Sequence, residues 1–535
     1  MTDITLLQGE LLRSDLLYPE SENSESENSI FFYDDISLSN LTPGESITIR
    51  LESQDFTPYI EFRDSDNLED IIKSRTNETV TQLQFFAEAN IDYVLRITSD
   101  EERGKGAYTI TTTSGHLTPL APYQGEAVSQ HGAHGWEGVT ENSDEPLILT
   151  YSFMEAVPNY YNPKRNGTWD QGDSGDFEPM STKQQKAVRL ALESWAEVAN
   201  IIFEEVADKR SVKLRFGTAA DFTDEATGWA YYPENKDPIG GDVWLNNQDN
   251  ENNRLKPGTF GFSTLVHEIG HALGLSHPFD EAITLPQDQQ NLQYTVMAYD
   301  DHPSVPSRFQ PPGPMLYDVL AVEEIYGLNP TTEEGDSQYR WKRNRIILET
   351  IYDVGGEDTI KANNQRKGNI INLQPGSFSS IGNIRNRKLK DNVAIAFGTT
   401  IEHAIGGKGA DTLTGNDVAN RLKGKGGDDI LTGLGGDDTL IGGPGNNTFV
   451  FESVNHGTDA ITDFFPGFDT IDVTVLLAEG NYTGTNPFDD GVLAASVQAG
   501  SMVLEYNPDG LGATTIAIVS NVTDIEAFQN SVQIA

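Results

Sequence analysis

Eleven consecutive residues, His267-Glu268-Ile269-Gly270-His271-Ala272-Leu273-Gly274-Leu275-Ser276-His277, carry three imidazoles and one carboxylate at spacings that suit a metal ion. On a helix, side chains four apart share a face, so His267 and His271 can aim at one ion. Glu268 follows the first imidazole, where its carboxylate reaches a water at the ion without being a ligand. Gly274 tolerates φ > 0 and can turn the chain out of the helix, after which His277 returns as a third ligand. Three His ligands leave one coordination position open, which marks a catalytic zinc site and not a structural one. A bare H-E-x-x-H also arises on solvated helix faces; the added Gly274 and His277 set this stretch apart from that reading.

The elements that must hold these groups lie on both sides. Ser181-Thr182-Lys183-Gln184 is a capping box. It opens a helix whose Val188, Ala191, Leu192, Trp195 and Val198 form one apolar stripe facing a core. Strands are expected over 147–151, 213–216 and 240–246, followed by a polar loop at 246–253. An amphipathic helix over 317–326 ends at Gly327 and closes this domain. Residues 1–115 read as β structure. Ile47, Ile49 and Leu51 alternate with polar residues, as do Tyr93, Leu95 and Ile97, and 106–111 reads as a closing strand. Thr42-Pro43-Gly44 marks a turn, and Glu20 to Ser29 is a low-complexity polar loop. The Gly- and Ser-rich stretch 116–145 reads as a linker, with His131 and His134 in a loop and not in a second metal site.

Composition narrows the functional classes. With 535 residues the chain has room for about three domains. Its formal charge of −46, from 82 acidic and 36 basic side chains, repels nucleic acid and anionic membrane and attracts divalent cations. There is no cysteine, so neither a disulfide nor a thiol lock on the metal can form. No apolar run approaches a membrane span. Met1 to Gln8 lacks the basic and apolar regions of a secretory signal peptide.

The extended histidine motif resembles that of the metzincin metallopeptidases. Tyr294-Thr295-Val296-Met297-Ala298-Tyr299 is similar to the Met-turn that underlies the zinc in that clan. A Tyr two residues after the Met resembles the astacin and serralysin branches. There it serves as a switchable extra zinc ligand and a transition-state hydrogen-bond donor; here the position is Tyr299. Five consecutive nine-residue units at 406–450 approximate G-G-x-G-x-D-x-U-x, the calcium-binding repeat of RTX proteins, and favour the serralysin branch. Segments 353–360, 400–407 and 463–472 also resemble serralysin sequence. The resemblance covers about residues 140–475, and the chain is identified as a member of that family.

This resemblance implies a multidomain α+β chain: a metzincin α/β catalytic domain over 116–330 and a C-terminal parallel β-roll over 331–535. The first domain, 1–115, resembles the prepeptidase C-terminal-type β-sandwich, a module that serralysins do not usually carry. In the roll, two repeats make one turn. Leu413, Leu422, Leu431, Leu440 and Phe449 then stack inward, with loops of alternate repeats on opposite edges. Turn carbonyls of Gly406, Lys408, Gly424, Gly426, Gly433 and Gly435 would face Ca²⁺, with carboxylates of Asp411, Asp429 and Asp438 as hard oxygen ligands. Asp358 and Glu402 join them by resemblance. Asn420 and Asn447 hold the sixth repeat position without charge, which weakens any site there.

The implied activity is a secreted zinc endopeptidase acting on extracellular proteins and peptides. It uses one catalytic Zn²⁺ and several structural Ca²⁺. Glu268 would be its general base, Tyr299 its oxyanion donor, and Met297 and Gly274 structural. A strand at 240–246 would edge the cleft and pair with extended substrate. The family further implies a monomer exported by type I secretion machinery from a C-terminal signal. The tail 528–535 fits either that signal or a last strand. Two other classes remain open to the residues alone. A calcium-dependent adhesin with a dead core would be expected to lose Glu268 or a ligand, and a lipase-type hydrolase would carry a G-x-S-x-G elbow; neither holds.

Overall fold

The computed structural model describes residues 135–136, 146–161, 177–219, 226–234, 237–280, 284–343, 345–384, 387–453, 457–508, 510 and 512–534, and the strands within 4–119. The expected turn at 42–44, the polar loop at 20–29, His131, His134 and Ala535 lie outside the described residues. Two compact units divide the chain: 1–133 with 276–290, and 134–275 with 291–535. In the first, ten strands among the described residues pair antiparallel in two sheets. The expected alternating segments fall in the strands Ser46–Ser53 and Tyr93–Ser99, and the closing strand in Gly106–Thr112.

In the second unit, a sheet runs in the order Ile201–Glu205, Leu147–Phe153, Leu214–Ala219, Asp242–Asn246, Gly228–Ala230. The first four are parallel, and Leu214–Ala219 is buried at every residue, as a central parallel strand covered on both faces must be. The expected strand at 240–246 is therefore not the sheet edge. Gly228–Ala230 pairs antiparallel on its outer side, with Trp229 opposite Trp244. Three residues are too few to show a period, which is why this edge left no mark in the sequence.

Ser181 caps the helix Thr182–Ala196 as the capping box requires: its amide donates to Gln184 Oε1 at 2.8 Å, and its hydroxyl accepts from the Gln184 amide. The apolar stripe is buried, although Val198 lies just past the helix end. Trp195 Nε1 donates to the Val266 carbonyl at 3.1 Å and ties this helix to the next, Phe260–Leu273. That second helix is buried nearly all round, including Glu268 and His271. The helix Leu316–Tyr326 follows and ends at Gly327, which has φ 78°.

The C-terminal region is β-rich. In the repeats, successive short strands alternate between two sheets and pair in parallel with the strand two repeats away: Leu413 lies opposite Leu431, Leu422 opposite Leu440, and Leu431 opposite Phe449. The expected parallel roll does not extend over all of 331–535, because Leu493–Gln498, Ser501–Tyr506 and Thr514–Val519 pair antiparallel. All five of these side chains are fully buried. The first glycine of a repeat leaves room for the carboxylate of the same repeat. A Cβ at Gly424 would lie 2.3 Å from Asp429 Oδ2, and one at Gly433 would lie 1.9 Å from Asp438 Oδ2. The tail supplies a last strand, Val532–Gln533, parallel to Thr470–Asp472, behind the fully buried Phe528.

Leu431→Ala should destabilise the protein by about 2–5 kcal/mol in denaturant unfolding, because it opens a cavity between two sheets. Neighbouring Ile430 is 42 % exposed, and Ile430→Ala should change stability by no more than about 0.5 kcal/mol. Equal effects would contradict the inward stack.

Candidate active site

The zinc helix brings His267 and His271 to one face, and Gly274 ends it in the left-handed conformation, with φ 106°. One potential ligand atom from each of His267, His271 and His277 lies within 4.8 Å of the others, which makes them the one cluster of three such metal-ligating side chains among the described residues. Each ring is oriented from behind through its Nδ1. His267 Nδ1 meets the Val296 carbonyl at 2.8 Å, His271 Nδ1 the Leu275 carbonyl at 2.7 Å, and His277 Nδ1 the Asp280 carboxylate at 2.5 Å. An Nδ1–H donating to these acceptors fixes the tautomer with the lone pair on Nε2, the state a metal ligand needs. Three neutral imidazoles suit zinc and leave room for a further ligand.

Glu268 lies one residue from the first ligand and is only 6 % exposed. Burial pushes its carboxyl up to about 8, and a dication beside it would pull it back toward the ionised form. The edge strand passes close by. A Cβ at Gly228 would lie 3.0 Å from Glu268 Cγ, so glycine lets the backbone approach the carboxylate.

The Met-turn lies under the helix as expected. Met297 is fully buried, and a Cβ at Gly270 would stand 2.6 Å from its sulfur. Gly270, inside the histidine motif, is thus what lets Met297 pack there. Tyr299 is 68 % exposed, with its ring stacked on that of His267 at 5.9 Å between centroids. Asp318 escaped the sequence reading. It is completely buried and accepts from Thr295 Oγ1 at 2.5 Å, from the Val296 amide at 2.7 Å and from the Met315 amide at 2.8 Å. Its place in the first turn of the 316–326 helix was the signal available.

The repeat carboxylates form ladders along the edges of the two sheets. Asp429 Oδ1 accepts from the Asp411 amide at 2.8 Å, Asp438 Oδ1 from the Asn420 amide at 2.7 Å, and Asp358 Oδ1 from the Ser337 amide at 2.7 Å. Glu402 Oε2 accepts from the Asp358 amide at 2.7 Å. The second oxygens of Asp358, Asp429, Asp438 and Asp459 are buried without a hydrogen-bond partner. Desolvation, reinforced by neighbouring carboxylates, raises Asp358 to about 6, Asp429 to about 7 and Asp438 to about 8. Asp411 differs, because Asn369 and the Gly407 amide occupy both of its oxygens. Asn420 Oδ1 accepts from the Asn416 amide of its own repeat at 2.7 Å, and Asn447 Oδ1 from the Asp429 amide two repeats earlier at 3.2 Å. Asp459 was missed because it follows the five regular repeats, although Gly457-Thr458-Asp459-Ala460-Ile461 repeats their G-x-D-x-U half.

Residues 169–307 match the Matrixin family, and residues 317–528 match the family described as Peptidase M10 serralysin C terminal. Fold and site together define a zinc metalloendopeptidase of the metzincin type. The chain is 36 % identical to Serralysin of Photorhabdus luminescens over 411 residues, covering 70 % of this chain and 80 % of that protein. It is 35 % identical to Serralysin A of Dickeya chrysanthemi over 463 residues, covering 79 % and 90 %. Metallopeptidase AprA of Pseudomonas marginalis is 34 % identical over 424 residues, covering 71 % and 86 %. The chain belongs to the serralysin family.

Asp318→Asn places an amide where three donors converge. It should lower unfolding free energy by about 1–3 kcal/mol and weaken peptidase activity by loosening Val296 behind His267. Wild-type stability in denaturant titration would show that the clamp is dispensable.

Proposed function

We propose that this protein is a secreted endopeptidase in which Glu268 is the general base and His267, His271 and His277 hold the zinc. The convergence of three imidazoles, each oriented through Nδ1, beside one buried carboxylate carries this reading. When bound, zinc supplies a Lewis acid that polarises the scissile carbonyl and acidifies water. Glu268 accepts the proton of the attacking water and delivers it to the leaving amine. The Tyr299 hydroxyl donates to the developing oxyanion, and its exposed ring stacked on His267 leaves it room to move. The extended substrate adds to the outer side of Gly228–Ala230, the last strand of this sheet among the described residues, whose Gly228 lies against Glu268. Met297 and Gly274 shape the site and take no part in the chemistry. Protein and peptide substrates outside the cell are the corresponding partners.

The repeats within 331–535 then form a parallel β-roll stabilised by calcium. The unpartnered buried oxygens of Asp358, Asp429, Asp438 and Asp459 are hard acceptors that fit Ca²⁺. Glu402 and the turn carbonyls of Gly406, Lys408, Gly424, Gly426, Gly433 and Gly435 complete the donor set. Asp411, with both oxygens bonded, contributes less than its repeat position suggests. Calcium binding outside the cell would add folding free energy to the native state alone. Export through type I secretion machinery, a monomeric state, an N-terminal β-sandwich over 1–115 and a catalytic domain over 116–330 belong to the same reading. No helix among the described residues is long and apolar enough to cross a membrane.

Glu268→Gln should retain zinc, measured by metal analysis, and the wild-type circular dichroism spectrum, while casein digestion falls by at least about a hundredfold. A fully active variant would remove Glu268 from its role. In a second test, the calcium-depleted protein should gain β signal in circular dichroism on return to millimolar Ca²⁺. An unchanged spectrum would end the coupling of calcium to folding.

A further inference from the structure

The four carbonyls that end a helix have no partner within it. For the zinc helix these belong to Gly270, His271, Ala272 and Leu273. The turn at Gly274 serves the first two: the Leu275 amide donates to Gly270 O at 2.9 Å, and the Gly274 amide to His271 O at 3.0 Å. Distant side chains serve the other two. Trp136 Nε1 donates to Ala272 O at 3.0 Å, and the Tyr326 hydroxyl to Leu273 O at 2.6 Å. The Trp136 amide in turn donates to the Tyr326 oxygen at 3.4 Å, which joins the two caps.

The indole sits in a slot built to its shape. Trp136 is 3 % exposed, although it belongs to the stretch that reads as a linker. A Cβ at Gly241, where φ is 77°, would lie 2.5 Å from its ring, and one at Gly135 would lie 2.4 Å from Ile325. Lys213 Nζ stands 4.6 Å from the ring centroid on one face. Nothing in the chemistry assigned above uses this residue. Its bond ends on the carbonyl next to His271, in the turn whose Leu275 carbonyl also orients the His271 ring.

We infer that Trp136 is a positioning residue of the zinc site: by completing the C-terminal cap of the zinc helix, it sets the course of the Gly274 turn and hence the aim of the His271 imidazole. This rests on the assignment of His267, His271 and His277 as zinc ligands. Trp136 thereby supports the site from more than a hundred positions away in the chain.

The test uses the full-length chain with Trp136→Phe, which keeps an aromatic ring and removes the N–H, and Tyr326→Phe, which removes only the hydroxyl. Zinc affinity is measured by competition with a chelator, and ligand geometry by the visible spectrum at saturating Co²⁺. Both variants should bind zinc about tenfold more weakly, shift the Co²⁺ bands, and lower kcat with KM unchanged. Wild-type affinity and an unshifted spectrum in both would overturn the inference. If Trp136→Phe does not fold, Tyr326→Phe decides alone by the same readouts. A wild-type chain that binds no zinc would instead defeat the ligand assignment on which the inference rests.

Discussion

Two backbone carbonyls, those of Val296 and Leu275, hold the imidazoles of His267 and His271 from behind, and much of the catalytic architecture serves to keep these carbonyls in place. An imidazole binds metal well only as the right tautomer at the right angle, and a hydrogen bond to its far nitrogen sets both. Val296 is held by Asp318 at the start of one helix, and Leu275 by the left-handed turn that ends another. The sheet, the helix with the Ser181 capping box and the buried Trp195 give the zinc helix a rigid bed, since Trp195 donates to it directly.

Burial is the common cost across this molecule. The zinc helix is enclosed on nearly all sides, so its polar groups need partners from elsewhere in the fold. Glu268 is enclosed as well, and its carboxyl resists ionisation without a cation beside it. The C-terminal repeats meet the same constraint with the opposite sign of usefulness. Their apolar stack is complete without any ion, whereas Asp358, Asp429, Asp438 and Asp459 each leave one enclosed oxygen unanswered. In a chain of charge −46, such atoms are the groups that the proposed calcium would answer.

Comparison of the two repeat edges shows how finely this is graded. Asp411 follows the repeat consensus but has both oxygens occupied by Asn369 and Gly407. Asp459 stands outside the regular repeats yet presents a buried oxygen like that of Asp438 beside it. Position in a motif therefore sets which side chains reach the ladder, and the local hydrogen bonds set which of them stay available.

Local information was strong wherever one helix or one repeat contains the whole device. His267, Glu268, His271, Gly274 and His277 sit within one helix and its turn, so spacing alone brings the three imidazoles together. The inward stack of Leu413, Leu422, Leu431, Leu440 and Phe449 was implied by the resemblance of their nine-residue units to a known repeat, and the Ser181 cap followed from four residues. The edge strand at 228–230, the clamp by Asp318, the fit of Gly270 against Met297 and the reach of Trp136 to Ala272 depend on chain segments that meet only in the folded protein. The sequence by itself determined which groups come together at the histidine cluster and which residues recur along the repeats, because short-range geometry ties residue spacing to a shared face. Tertiary structure alone decided which carbonyl, carboxylate or glycine stands behind each group, because those contacts join residues whose separation along the chain carries no periodic signal.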